Sequence, residues 1–164
     1  MTMFKVYQWL SLIIPWASLF LMKRDAVRRY MPVALFVTAI NTIIAQLAWS
    51  YHWWTNEKPL FPWARVADIA FTYGIFLVGT MWIFYFTFRR FWLYLVVNLV
   101  IDGIFAFGAT TWLESHGVLR RGSITHFQFY LMAIGVALVI YLYQLWQEGV
   151  DMEVTVGRRS RART

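Results

Sequence analysis

A chain of 164 residues that is 60% hydrophobic, 20% aromatic and only 14% charged does not have the composition of an ordinary soluble domain. Its formal charge of +7 does not call for nucleic acid, because the basic residues fall in short clusters beside apolar runs, as in loops that touch anionic lipid. Cysteine is absent, which excludes a disulfide framework, thiol chemistry and a cysteine metal site.

In chain order, five apolar segments are predicted as helices long enough to cross a bilayer, for which about 20 residues suffice. The first covers residues 4–22, contains Pro15 and stops at Lys23-Arg24. No small-residue cleavage site precedes that basic pair, so an uncleaved span is expected rather than a signal peptide. The second covers 31–51, with Pro32 in its first turn, where proline is tolerated. A loop rich in Trp and Phe follows, from His52 through Lys58-Pro59 to Trp63, and its rings suit the headgroup zone. The third segment covers 66–88. Arg89-Arg90 marks a tight turn into the fourth, 91–113, because the combined stretch is too long for one crossing. Gly117 and Gly122 flank a second short connection to the fifth, 124–146. The expected fold class is thus all-α: a single transmembrane domain over 1–146 and a polar, basic tail over 147–164.

Positive charge predicts the topology. With the N-terminus outside, the inner side collects Lys23, Arg24, Arg28, Arg29, Arg89, Arg90, Arg158, Arg159, Arg161 and Arg163. The outer side receives Lys5, Lys58, Arg65, Arg120 and Arg121, so ten against five favours N-out and C-in. The Arg120-Arg121 pair runs against that trend.

Every segment carries a small or polar stripe at helical spacing. The stripes are Gln8, Ser11, Pro15 and Ser18; Thr38, Asn41, Thr42 and Ala45; and Asp68, Thr72 and Gly79. The last two helices carry Asn98, Asp102, Ala106, Ala109 and Thr110, then His126, Tyr130, Ala133, Ala137, Tyr141 and Gln144. Such stripes are the usual packing seam of membrane helices, where small residues allow close approach and polar ones bond across. They are also what a polar cavity or ion path would need.

Asp102 stands out, being a carboxylate in the middle of a span with no basic residue predicted at its depth. Asn98 lies one turn away, and Asn41 is predicted at similar depth on the second helix. The three form a candidate intramembrane polar site. Asp102 either works there as a proton or ion group, or bonds to Asn41 or Asn98 to fix helix register. A second candidate cluster, near the outer face, contains Asp68, Glu114 and His126, with His52, Arg65 and His116 nearby. Carboxylates and imidazole suit metal binding and acid–base chemistry, but the spacing forms no motif, and neither a metal site nor a catalytic residue is assigned. Arg65 and Asp68, three apart, can simply pair at a helix start.

The basic entry Arg28-Arg29-Tyr30-Met31-Pro32, the Asp early in the third helix (Asp68) and the turn Gly117-Val118-Leu119-Arg120 carry a resemblance. Over about residues 4–146 the chain resembles an uncharacterised family of short polytopic membrane proteins of spore-forming bacteria. The resemblance implies architecture and a bacterial cell membrane, with a role in the envelope or spore, but no reaction, cofactor or catalytic residue. Many of that family carry a Glu in the fourth helix, where this chain has Asp102 centrally and Glu114 at the end.

The leading expectation is a non-enzymatic subunit or assembly partner of an envelope complex, working through a membrane-protein partner or a second copy of itself. The alternative is a protein that binds or transports a proton, cation or small solute past Asp102. An intramembrane lipid or isoprenoid enzyme using Asp68, Glu114 and His126 ranks third. No cofactor is expected beyond a bound lipid.

Overall fold

The computed structural model describes residues 3–161, with side chains over 4–149. Arg158, Arg159, Arg161 and Arg163 of the expected basic tail lie outside the residues whose side chains are described.

Five helices make up the bundle. α1 is Met3–Ser18, closed by a 3₁₀ turn over Leu19–Leu21, and α2 is Arg24–Ser50. α3 spans Phe71–Thr87, α4 spans Phe91–Ser115, and α5 is His126–Arg161. Four stretches, Phe4–Leu21, Arg24–Ser50, Phe91–Ser115 and His126–Gly149, are long and apolar enough to cross a membrane, and α3 is shorter.

Several predicted boundaries move, each for a local reason. α2 starts at Arg24, not Met31, so the cluster Arg24–Arg29 is helical and Pro32 sits inside the helix. Asp25 falls in its first turn, where a carboxylate suits the positive end of the helix dipole. The apolar run marks only the part of a helix that avoids water, and helical hydrogen bonding continues past it. At the third segment the shift is opposite. Helical turns begin at residue 69 rather than 66, because Asp68 takes the capping position: its Oδ1 accepts from the Phe71 amide at 3.1 Å. α5 opens on a reciprocal cap, in which the Gln128 amide donates to Thr125 Oγ1 at 3.2 Å and the Thr125 amide to Gln128 Oε1 at 3.0 Å. Between α3 and α4 the chain reverses at Arg89, in a left-handed conformation (φ 69°), and the Arg90 amide bonds to the Thr87 carbonyl at 3.0 Å. The arginine pair is the tight turn that the sequence predicts.

Two features are absent from the sequence reading. The loops after α2 and α4 pair as a short antiparallel ladder of β1 (Trp54–Asn56) and β2 (Leu119–Arg121), with Trp54 opposite Arg121 and Asn56 opposite Leu119. Gly122 lies so close to the first strand's approach that an added Cβ would meet the His52 carbonyl oxygen at 1.9 Å. The second feature is π-helical winding over Phe71–Phe76 in α3 and Ile104–Ala109 in α4. Such winding is rare and is usually found at sites with a function.

α2 packs on α3, α3 on α4, α4 on α5 and α5 back on α2, which closes a four-helix ring; α1 lies against the π-turns of α3 from outside. The α1 stripe is a packing seam. A Cβ at Gly74 would meet the Ser11 carbonyl oxygen at 2.4 Å, so only glycine permits this approach. Trp16 Nε1 donates to the Tyr73 carbonyl and Trp82 Nε1 to Ser18 Oγ, both at 2.9 Å.

The outer surface is far more apolar than that of a soluble protein, and several polar side chains are buried beside the apolar core. Phe20 is 93% exposed and Leu21 83%, and Phe86, Trp92, Leu142 and Trp146 also point outward, while Gln8, Asn98, Thr110 and Gln144 are buried. The apolar core sits at the end of the ring that carries the α3–α4 turn. There Phe84 and Tyr94, both fully buried, pack with Tyr30 and Tyr141 at ring separations of 4.7–6.3 Å. Tyr94 Oη donates to the Ala137 carbonyl at 2.8 Å. Just beyond, the Glu148 carboxylate is gripped by the Arg29 guanidinium, with Arg89 at 3.6 Å. This end is closed.

Candidate functional site

The opposite half of the ring is hollow. A cavity of about 460 Å³ lies among α2, α3, α4 and α5 and reaches the β ladder, with no residue of α1 in its wall. Apolar and aromatic side chains make up most of the lining, and a few polar groups converge on it.

Both candidate clusters from the sequence line this one cavity: Asn41, Asn98 and Asp102, and Asp68, Glu114 and His126. What positions them is a four-residue repeat on two facing helices. Asp68, Thr72, Phe76 and Thr80 face inward from α3, and Asn98, Asp102, Thr110 and Glu114 from α4, with fully buried Ala106 on the same line. On a regular α-helix, residues four apart drift around the axis by about 40° per step. The wider π-turns at Phe71–Phe76 and Ile104–Ala109 counter that drift, so each row stays on the cavity side.

Asp102 does not play the register role offered to it. Asn98 Nδ2 donates to the Tyr94 carbonyl at 2.8 Å instead, and no hydrogen bond joins Asp102 to Asn41 or Asn98. Asp102 Oδ2 is packed away from solvent with no partner, while the residue as a whole is half-buried and lines the cavity. A carboxylate oxygen left in this state costs free energy, which a bound group could recover.

Nearer the ladder, each group of the second cluster has its own local partner. Asp68 caps α3 through Oδ1 and accepts a bond from Gln8 Nε2 on Oδ2 at 3.3 Å; Gln8 also reaches the Lys58 carbonyl at 3.0 Å. Burial pushes the Asp68 carboxyl above its ordinary value, and the hydrogen bonds from the Phe71 amide, Gln8 and the Ala70 amide pull the other way. The expected Arg65–Asp68 pair is not among the ion pairs of the described residues. Glu114 Oε2 accepts from Arg121 Nη2 at 3.1 Å, and its Oε1 is buried without a partner. His126 Nδ1 lies 2.7 Å from the Ala106 carbonyl and 3.2 Å from Thr110 Oγ1. A carbonyl can only accept, so Nδ1 carries the hydrogen, and in a neutral ring Nε2 is left as an acceptor.

Asp68, Glu114 and His126 therefore share a wall without bonding to one another. Among the described residues no group of three His, Cys, Asp or Glu is placed to hold a metal ion. The one hydroxyl–imidazole contact described in the lining, Thr110 Oγ1 with His126 Nδ1 at 3.2 Å, falls on the ring nitrogen that donates to the Ala106 carbonyl, so that nitrogen cannot take the hydroxyl proton. What the site does have is a partly open, mostly apolar volume with an unmatched carboxylate one helical turn from Phe105. That ring meets Phe76 at 5.1 Å and Phe129 at 6.0 Å. Sequence reasoning found the polar members but missed Phe71, Phe76, Phe105, Phe129 and Arg121. The exact repeat of four in both helices was the available signal for the two rows. No family model matches the chain, and no curated protein or solved structure is similar to it at a significant level, so the site is read from its own geometry.

Proposed function

We propose that the chain is an integral protein of a bacterial cell membrane, N-out and C-in, that takes a small molecule into its four-helix cavity with Asp102 as the polar anchor. One observation carries this reading: a cavity of about 460 Å³, within the roughly 300–1,000 Å³ of small-molecule sites, lined by a carboxylate whose buried oxygen has no partner among the described residues. The outward-facing apolar side chains support membrane insertion, since patches of that extent are rare on soluble monomers. The orientation is supported by the charge count, ten basic residues on the inner side against five on the outer. The bacterial assignment follows the family resemblance. The assembly-partner reading draws on size and surface alone, and the cavity adds weight to binding.

The absence of native cysteine makes the test clean. Single cysteines are placed at Ala133, half-buried in the cavity wall, and at Ala34, fully buried in the closed half, in protein held in lipid nanodiscs. A small maleimide is expected to label the first and spare the second. Equal protection at both positions in folded protein would remove the cavity as a binding site.

A further inference from the structure

We propose that the occupant of the cavity is a lipophilic organic cation, an ammonium or phosphonium centre on an apolar body, with Asp102 as its counter-charge. This rests on the cavity being a binding site and names the class of molecule that site selects.

Charge is the first ground. The chain is +7 overall, yet three carboxylates, Asp68, Asp102 and Glu114, line the cavity against a single guanidinium, Arg121. Asp68 is engaged by the Phe71 amide and Gln8, and Glu114 by Arg121, whereas Asp102 has neither a cation nor a hydrogen-bond donor from the protein. An anionic ligand would be repelled. A neutral one would leave Asp102 to take up a proton, whereas a cation lets the carboxylate stay ionised in a low-dielectric interior.

The aromatic lining is the second ground, and it is independent of the first. Phe105, one turn from Asp102, lies with Phe71, Phe76 and Phe129 in a ring cluster at centroid separations of 5.1–6.2 Å, and all four line the cavity. Aromatic faces carry negative charge density and hold a cation within about 6 Å, most effectively one too diffuse to need a shell of water. An inorganic ion fits poorly by comparison. Hard cations need about six or more oxygens close in, and the wall around Asp102 is mostly apolar. A carboxylate and four phenyl rings lining one mostly apolar cavity of this size match an organic cation in both charge and surface.

The test uses full-length protein in zwitterionic nanodiscs and two probes of the same shape and opposite charge, tetraphenylphosphonium and tetraphenylborate. They are titrated separately by calorimetry, with empty nanodiscs subtracted. Two variants accompany the wild type. Asp102→Asn keeps the shape of the side chain and removes the charge. Gly79→Leu fills the cavity, because Gly79 lines it and an added Cβ there meets nothing within 4 Å. Wild type is expected to bind the phosphonium at least about tenfold more tightly than the borate, Asp102→Asn to lose roughly tenfold or more of that binding, and Gly79→Leu to bind neither. Equal binding of both probes, or unchanged phosphonium binding in Asp102→Asn, would overturn the cation assignment. If Gly79→Leu still abolished binding in that case, the cavity would stand as a site of another class. No binding of either probe by wild type, or binding undiminished in Gly79→Leu, would overturn the cavity reading and this proposal with it. Should Asp102→Asn fail to fold by circular dichroism and size exclusion, the wild-type preference and Gly79→Leu decide the question alone.

Discussion

One half of the ring is solid and the other hollow, although the same four helices build both. At the end near the α3–α4 turn, Phe84, Tyr94 and Tyr141 interlock and the Arg29–Glu148 pair seals the exit. Toward the β ladder the helices face one another across a cavity, whose mostly apolar wall carries a few threonines, asparagines and acids. In lipid, burying an apolar side chain gains little from leaving water, so adhesion depends on packing contacts and on hydrogen bonds. The solid half supplies those contacts, which lets the hollow half omit them. Tight packing and open volume fall at different ends of one bundle.

That division can be broken at either end, and the expected effects differ in size. Phe84→Ala should be the most damaging change, costing about 3 kcal/mol through the cavity left among Tyr30, Tyr94 and Tyr141, read as a lower unfolding temperature in detergent. An unchanged midpoint would mean that the solid half is not what holds the ring. Gly74→Ala should cost about 1–3 kcal/mol, because its Cβ would collide with the backbone of Ser11, and protease accessibility of α1 should rise while the α2–α5 ring persists. Glu148→Gln should lose about 1–2 kcal/mol, less than a fully buried pair would, since the Arg29 side chain is 37% exposed. Gly79→Ala, in the hollow half, is the one change expected to stabilise, by up to about 1 kcal/mol, because it adds helix propensity in open space. If it destabilised instead, the cavity at that level would be filled in solution.

Much of this plan was legible in the sequence. Hydropathy located all five helices, the arginine pair located the α3–α4 turn, and the absence of any basic neighbour singled out Asp102. Helix ends were less legible, because apolarity tracks solvent and not hydrogen bonding; hence Arg24 was left outside α2, and the Asp68 cap was placed inside the third helix. The arrangement of helices was out of reach. A stripe has the same spacing whether it faces a seam, as Gln8, Ser11 and Ser18 do, or a cavity, as Asn98 and Asp102 do. The π-turns were hidden for a related reason: Phe71–Phe76 and Ile104–Ala109 contain nothing that α-helix forbids, and only the partner across the ring decides how they wind.

The ladder between β1 and β2 has a consequence for how the molecule comes into being. Trp54 and its partner Arg121 are far apart in the chain, and the segment between them contains all of α3 and α4. During synthesis the first strand has to wait, its hydrogen-bonding edge unsatisfied, until α3, α4 and the second strand have been made. Until then the rim has one lip only, and the enclosure has no closed wall at that end. The cavity therefore takes shape only after α4, β2 and α5 have all been made.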